Sequence, residues 1–372
     1  MRKLSKLNLL DYVLGSSILG CGGGGSVEWG TSLVNEGFER NYEFSLVDIN
    51  DVDENELLCV LAGVGGGVPK EVKDKVEPYS KMFPQTPESR FMRLSRSAEE
   101  LAEYVGKSFY SYVAAETGPG NGVLPLYLNA MEGKPSVDGD CCGRAKPEMG
   151  LSLTNVAGIP VTPLAMVTPF METVILKNSV DDYRAEDLTR YVAVASGGSV
   201  TVARCPATVK QYRKGIVQNQ ISNCIKIGES IRKAKESGRD PFQAFEKSSG
   251  AIELFEGKVK EFKMEGRGGF NWGDWNIEGS GNYLKKKMRI WYKNEFLIAW
   301  IDGKPVATCP DLICVLETPG CEALSNFVPD KTHLKKDVKV YGIRANEQWR
   351  SKKGIEVFGP RHFGFDIDHV PF

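Results

Sequence analysis

The sequence predicts an α/β layer in residues 1–168, followed in 169–372 by a mainly β domain, barrel or sandwich-like, with one inserted helix. Three observations predict it. Short apolar runs alternate with helical patterns through the first 168 residues, and a glycine loop stands at nearly every crossing. After about residue 169 the texture changes to apolar runs joined by short turns. A chain of 372 residues with 41% apolar and 26% charged side chains fits two globular domains, or one large domain with an insertion.

The elements follow in order. Leu7, Leu10, Val13 and Ile18 mark one apolar face, which predicts a short amphipathic helix ahead of Gly20. Lys3, Lys6 and the Gly20-Cys21 pair resemble the spacing of a bacterial lipoprotein leader, but Asp11 interrupts the hydrophobic segment such a leader needs. Residues 42–49 and 57–62 read as strands. The second is followed by Gly63, Gly65, Gly66 and Gly67, and Pro69 then opens a helix where proline is tolerated. Residues 111–115 form a third strand, which leads through a loop rich in glycine, Glu116 to Gly122, into a helix over 124–131. A fourth, short strand ends at Asp138.

In the second half, residues 191–202 read as a strand broken at Gly197-Gly198. Residues 207–237 read as the inserted helix, with Ile216, Ile221, Ile225 and Ile231 on one face and Gly238 closing it. A strand over 288–300 turns at Asp302-Gly303 into 305–308, and 312–316 adds another. The C-terminal tail is expected to return to the first domain.

Composition narrows the partners. With 47 cationic against 48 acidic side chains there is no bulk positive field, so no nucleic acid partner is expected. No run of 18 apolar residues exists, so no membrane span is expected. Nine cysteines without a Cys-x-x-Cys pair read as reduced, buried thiols, which favours a cytoplasmic location. The oligomeric state is left open, a homo-oligomer included.

Charged and glycine-rich loops after strands carry the candidate chemistry. Gly20, Gly22 and Gly25 fit the spacing of a dinucleotide fingerprint, with Asp48 further on, but they follow a helical pattern instead of a strand, so NAD is not expected. Gly65 and Gly66, between strand and helix, are either an anion-holding loop or a tight turn. The segment 138–148 gathers Asp138, Asp140, Arg144 and Glu148 just past a strand, where ligands bind in open α/β sheets. Glu116, at the mouth of the neighbouring strand, is placed to meet them as a base or ligand. Near the C-terminus His362, Asp366 and His369 recur within eight residues, and Arg361 adjoins His362. Asp138, Asp140, Glu148 and His362 are the candidate ligands for one divalent ion, zinc by donor type, with a metal-free structural role as the alternative.

Taken together, several stretches resemble a family long catalogued as a domain of unknown function and linked to S-methyl thiohydantoin desulfurases and to hydantoinase/oxoprolinase systems. They are residues 20–25, Glu116 with Gly120-Asn121-Gly122, Asp138-x-Asp140-x-x-Gly143-Arg144-Ala145-x-Pro147-Glu148, Asn294-Glu295, Pro310-Asp311-Leu312-Ile313, and Gly359-Pro360-Arg361-x-Phe363-Gly364-Phe365-Asp366. Cys141-Cys142 stand where the family is expected to carry glycine and methionine, so neither thiol is carried over as a nucleophile. The resemblance implies an N-terminal α/β domain joined to a β-rich one, and hydrolysis at a hydantoin-like five-membered ring. On that basis Glu116, Asp138 and Asp140 are expected to activate water, directly or through the metal, and His362, held by Asp366, to donate a proton. Asn121, Arg144, Arg361, Gly65 and Gly66 are expected to bind a small anionic ring substrate. The alternative is a non-catalytic, ligand-binding accessory subunit of a hydantoinase-type system.

Overall fold

The structure, a computed structural model, describes residues 1–65, 68–329 and 331–371. Its first half is built on a seven-stranded mixed sheet in the order Val217–Gln218, Gly139–Asp140, Ser111–Ala114, Leu57–Gly65, Ser199–Thr208, Leu164–Val167, Thr173–Leu176. Gly139–Asp140, Ser111–Ala114 and Leu57–Gly65 run parallel. Parallel strands are covered on both faces, and every residue of Ser111–Ala114 is accordingly buried. A small flanking sheet joins Arg2–Lys3, Ser45–Val47 and Ser136–Val137.

The second half is an open antiparallel sheet of eight strands, not a closed barrel, with edges at Lys304–Thr308 and Glu322–Ala323. The Asp302-Gly303 turn is as expected, both residues having positive φ. The expected strand 288–300 is two strands, Lys287–Lys293 and Glu295–Ile301, reversing at Asn294. Asn294 takes a left-handed φ of 59°, which asparagine tolerates.

The texture change near residue 169 does not coincide with the edge of the first sheet. Thr173–Leu176, Ser199–Thr208 and Val217–Gln218 all pair within it. The expected strand over 191–202 begins as the end of a helix, Asp182–Ala195, capped by the Asp181 side chain and burying Ala185, Thr189 and Ala193 at four-residue spacing. The expected helix over 207–237 is interrupted. A short turn of helix, Val209–Tyr212, leads to the strand Val217–Gln218, and the long helix Gln220–Glu236 starts after Asn219 at φ 61°.

That long helix crosses the N-terminal one, Lys6–Leu19, at very short range. A Cβ on Gly15 would stand 2.0 Å from the Cys224 carbonyl oxygen, and one on Gly228 would stand 1.9 Å from that of Asp11. Beside the crossing the buried Asp11 carboxylate accepts from Arg232 Nε at 2.7 Å and Nη2 at 2.9 Å. Because backbone and not a movable side chain opposes the added methyl, Gly228→Ala is expected to destabilise the fold by about 1–3 kcal/mol. Urea unfolding checks this, and an unchanged midpoint would show that the helices do not cross at these glycines.

The C-terminal segment lies against the first half, with Lys353 Nζ donating to the Asn155 carbonyl and Trp349 Nε1 to that of Cys142. All nine cysteines are free and buried. Among the described residues no helix is long and apolar enough to cross a membrane.

Candidate active site

A cleft of about 820 Å³ opens beyond the carboxyl ends of the parallel strands. One wall is the loop 22–25 that follows the N-terminal helix. Gly22, Gly24 and Gly25 have positive φ, and a Cβ on Gly23 would lie 2.1 Å from Glu295 Oε1. Only glycine fits such an approach. The Gly24 carbonyl accepts from the amides of Gly120 and Asn121, while Cys21 and Gly22 carbonyls accept from Phe296 and Asn326. These glycines hold the two halves of the protein together. Asp48, the acid of the nucleotide spacing, caps the short turn Ile49–Asp51 through the Asn50 amide.

Three buried carboxyls line this cleft. Glu186 is held by Arg190 and by the Met149 amide, which leaves Glu116 and Glu295, one from each half. Glu116 follows the strand Ser111–Ala114, and its oxygens accept from Asn121 Nδ2 at 2.7 Å and from the Lys146 amide at 2.9 Å. Burial pushes its carboxyl up, opposed by these donors and by the charges of Lys146 and Arg204. Glu295, delivered by the reversal at Asn294, is 2% exposed and its Oε2 has no partner among the described residues. Burial, then the charge of Glu116, pushes Glu295 well above the usual carboxylate range. The sequence reading missed Glu295 as a site residue, although Asn294-Glu295 was one of the stretches carrying the resemblance.

Two buried cations share the cleft. Lys146 donates its Nζ to the carbonyls of Glu148 and Met149, and burial, then the charge of Arg204, lowers its pKa. Arg204 sits at a bulge in Ser199–Thr208, where Cys205 takes a φ of 55° and the pairing with Leu57–Gly65 slips. Bulges re-aim side chains. Arg204 lines the cleft, and its Nε has no partner among the described residues.

The predicted residues separate. Gly65 lines the cleft and its carbonyl accepts from Arg190 Nη1 at 2.6 Å, whereas Gly66 and Gly67 lie outside the described residues. Asp140 feels the charge of Glu116 but does not line the cleft. It accepts from Thr117 Oγ1 and from the amides of Cys142 and Gly143, and burial pushes it up to about 6 against those donors. Asp138 turns away, accepting from the amide and hydroxyl of Ser222 and so capping the helix Gln220–Glu236. Arg144 is fully buried and donates to the carbonyls of Ala145, Asp311 and Phe296, so it joins the halves and is not open to substrate. Arg361 is exposed, paired with Asp366 and Asp368.

Asp366 therefore does not hold His362. The ring is held by Glu148, whose Oε2 lies 2.8 Å from His362 Nε2, and it stacks on Tyr183. Glu148 lines the cleft and is also paired with Lys293. The four candidate metal ligands do not converge, and among the described residues no group of three His, Cys, Asp or Glu side chains is placed to hold a metal ion. Burial pushes the Cys142 thiol well up, away from the thiolate a nucleophile needs.

Burial raises the Glu148 carboxyl, but the hydrogen bond from His362 and the charge of Lys293 outweigh it and hold it at about 2. A value below the ordinary 4.5 means stabilisation that is complete above about pH 4.5 and is lost as pH falls toward 2. Lys293→Met is expected to lose part of that slope in acid unfolding. Identical slopes in the two proteins would refute the pairing.

Comparison with known proteins agrees with this architecture. Residues 8–178 match the family model described as the S-Me-THD-like N-terminal domain, and 180–372 match its C-terminal counterpart. A crystal structure of a structural-genomics protein from Chromobacterium violaceum superposes over 100% of both chains with a TM-score of 0.80 at 20% identity, a likeness of fold. Among curated proteins none matches. With family models covering both halves in order, the chain belongs to the S-Me-THD-like family.

Proposed function

We propose that the protein is a hydrolase that adds water to C2 of an S-alkyl thiohydantoin, or of a related hydantoin-like ring, in the cleft between its halves. The observation that carries this reading is the pair of buried carboxyls whose surroundings set their protonation apart. Glu116 accepts two hydrogen bonds and faces Lys146 and Arg204, which favour its ionised form. Glu295 keeps a bare oxygen and is pushed well up, which favours the acid. Such a separation assigns base and acid.

In this reading Glu116 takes a proton from water as the water oxygen bonds to C2, and the C2–N electron pair moves onto the ring nitrogen, toward Lys146 and Arg204. Collapse restores the C2–N double bond and breaks C–S. Sulfur leaves as methanethiol with the proton of Glu295, and the 2-hydroxy ring left behind is a tautomer of hydantoin. Transfer of one proton from Glu116 to Glu295 through solvent resets the pair. His362 reaches the cleft only through Glu148 and acts as a positioning residue. No step is routed through a metal, because the proposed ligands do not fit one. Incubation with S-methyl thiohydantoins, hydantoins and lactams, scored for thiol release and ring opening, tests the proposal. Thiol release is expected, and binding without either reaction would overturn it in favour of an accessory binding role.

A further inference from the structure

A second cavity, of about 770 Å³, meets the first only at Gly63, which lines both among the described residues. Its chemistry is set by Arg90 and Arg93, one turn apart on the helix Pro87–Val105. The Arg90 guanidinium lies 4.4 Å from the ring centre of Trp29 and makes no hydrogen bond or ion pair with a described residue. Arg93 is 7% exposed and donates Nη1 to Gln85 Oε1 at 2.8 Å and to Ser89 Oγ at 3.2 Å, with no carboxylate among the described residues in range. The acids on the cavity wall are engaged elsewhere. Glu36 is held by Arg40 at 2.8 Å and Tyr127 at 3.0 Å, and Glu77 by Lys81 at 2.9 Å. Burial lowers the pKa of both arginines, and the charge of Arg90 lowers that of Arg93 further. Arg93 is buried and Arg90 half-buried, and two such cations without a counter-charge are unfavourable. A planar oxyanion between two guanidinium forks removes that penalty, and Trp29 and Phe170 supply an aromatic wall beside them.

We propose that this cavity is a binding site for a small organic oxyanion, with a carboxylate or phosphoryl group between Arg90 and Arg93 and an apolar body against Trp29 and Phe170. The inference uses none of the residues assigned to the ring chemistry and stands without it. Isothermal titration of the full chain with phenyl phosphate, 3-phenylpropionate and the neutral 3-phenylpropanamide tests it. One or both anions are expected to bind at one site per chain, and the amide at least about tenfold more weakly. Which anion binds identifies the phosphoryl or the carboxylate source. Arg90→Met is expected to weaken the anion at least about tenfold, while Glu116→Gln binds it as the parent does. The proposal is overturned if neither anion binds, if the amide binds equally in the unaltered protein, or if Glu116→Gln and not Arg90→Met loses binding.

Discussion

Glu116→Gln is expected to lower thiol release from an S-methyl thiohydantoin by about 10²–10⁴-fold, the usual contribution of a positioned base, with little change in stability. Glutamine cannot take the proton of water; its carbonyl oxygen still accepts from Asn121, and the loss of the acceptor for the Lys146 amide is offset by removal of the charge that burial disfavours. The pH dependence follows from the same two shifts. The rate should rise as pH climbs through the raised value of Glu116 and fall as it climbs through that of Glu295, which is pushed up further. Glu116→Gln removes the acid limb from what activity is left, and Glu295→Gln removes the alkaline limb. A parent-like rate in Glu116→Gln, or a profile without either limb in the unaltered enzyme, would refute the assignment of base and acid.

The largest expected effect on stability belongs to Arg144→Met. The guanidinium donates at 3.1 Å to the Ala145 carbonyl, at 2.8 Å to Asp311 and at 2.6 Å to Phe296, and it lies 5.3 Å from the Phe358 ring centre. Methionine fills much of the volume but takes the donor from three buried carbonyls, so a loss of about 3 kcal/mol or more is expected at about 1–3 kcal/mol for each acceptor left unpaired. Arg144→Lys should recover little, because one ammonium cannot span acceptors arranged for a planar fork. Urea unfolding midpoints decide the matter, and a midpoint equal to the parent's would show that the carbonyls find other donors.

These expectations also mark where the sequence could and could not be read. The parallel strands and their loops were legible because apolar runs, glycines and a proline each act locally. So was the position of Glu116 at a cleft, though not its role, since a residue just past a parallel strand has little freedom in where it can lie. Asp138 and Arg144 were misread for one reason: a charged side chain near a strand end looks the same from sequence whether it meets a ligand or a distant piece of backbone. Asp138 bonds a serine 84 positions away, and Arg144 bonds carbonyls in the other half. Glu295 and Arg204 were hidden by single-residue backbone events, the left-handed Asn294 and the bulge at Cys205, which no apolar periodicity records.

The loop after the N-terminal helix is stitched by backbone hydrogen bonds to residues 120–121 on one side and to 296 and 326 on the other. The donors and cations around Glu116 all precede the later sheet in the chain, whereas Glu295 comes within that sheet, so the difference between the two acids needs both halves. The proposed chemistry therefore requires the finished molecule.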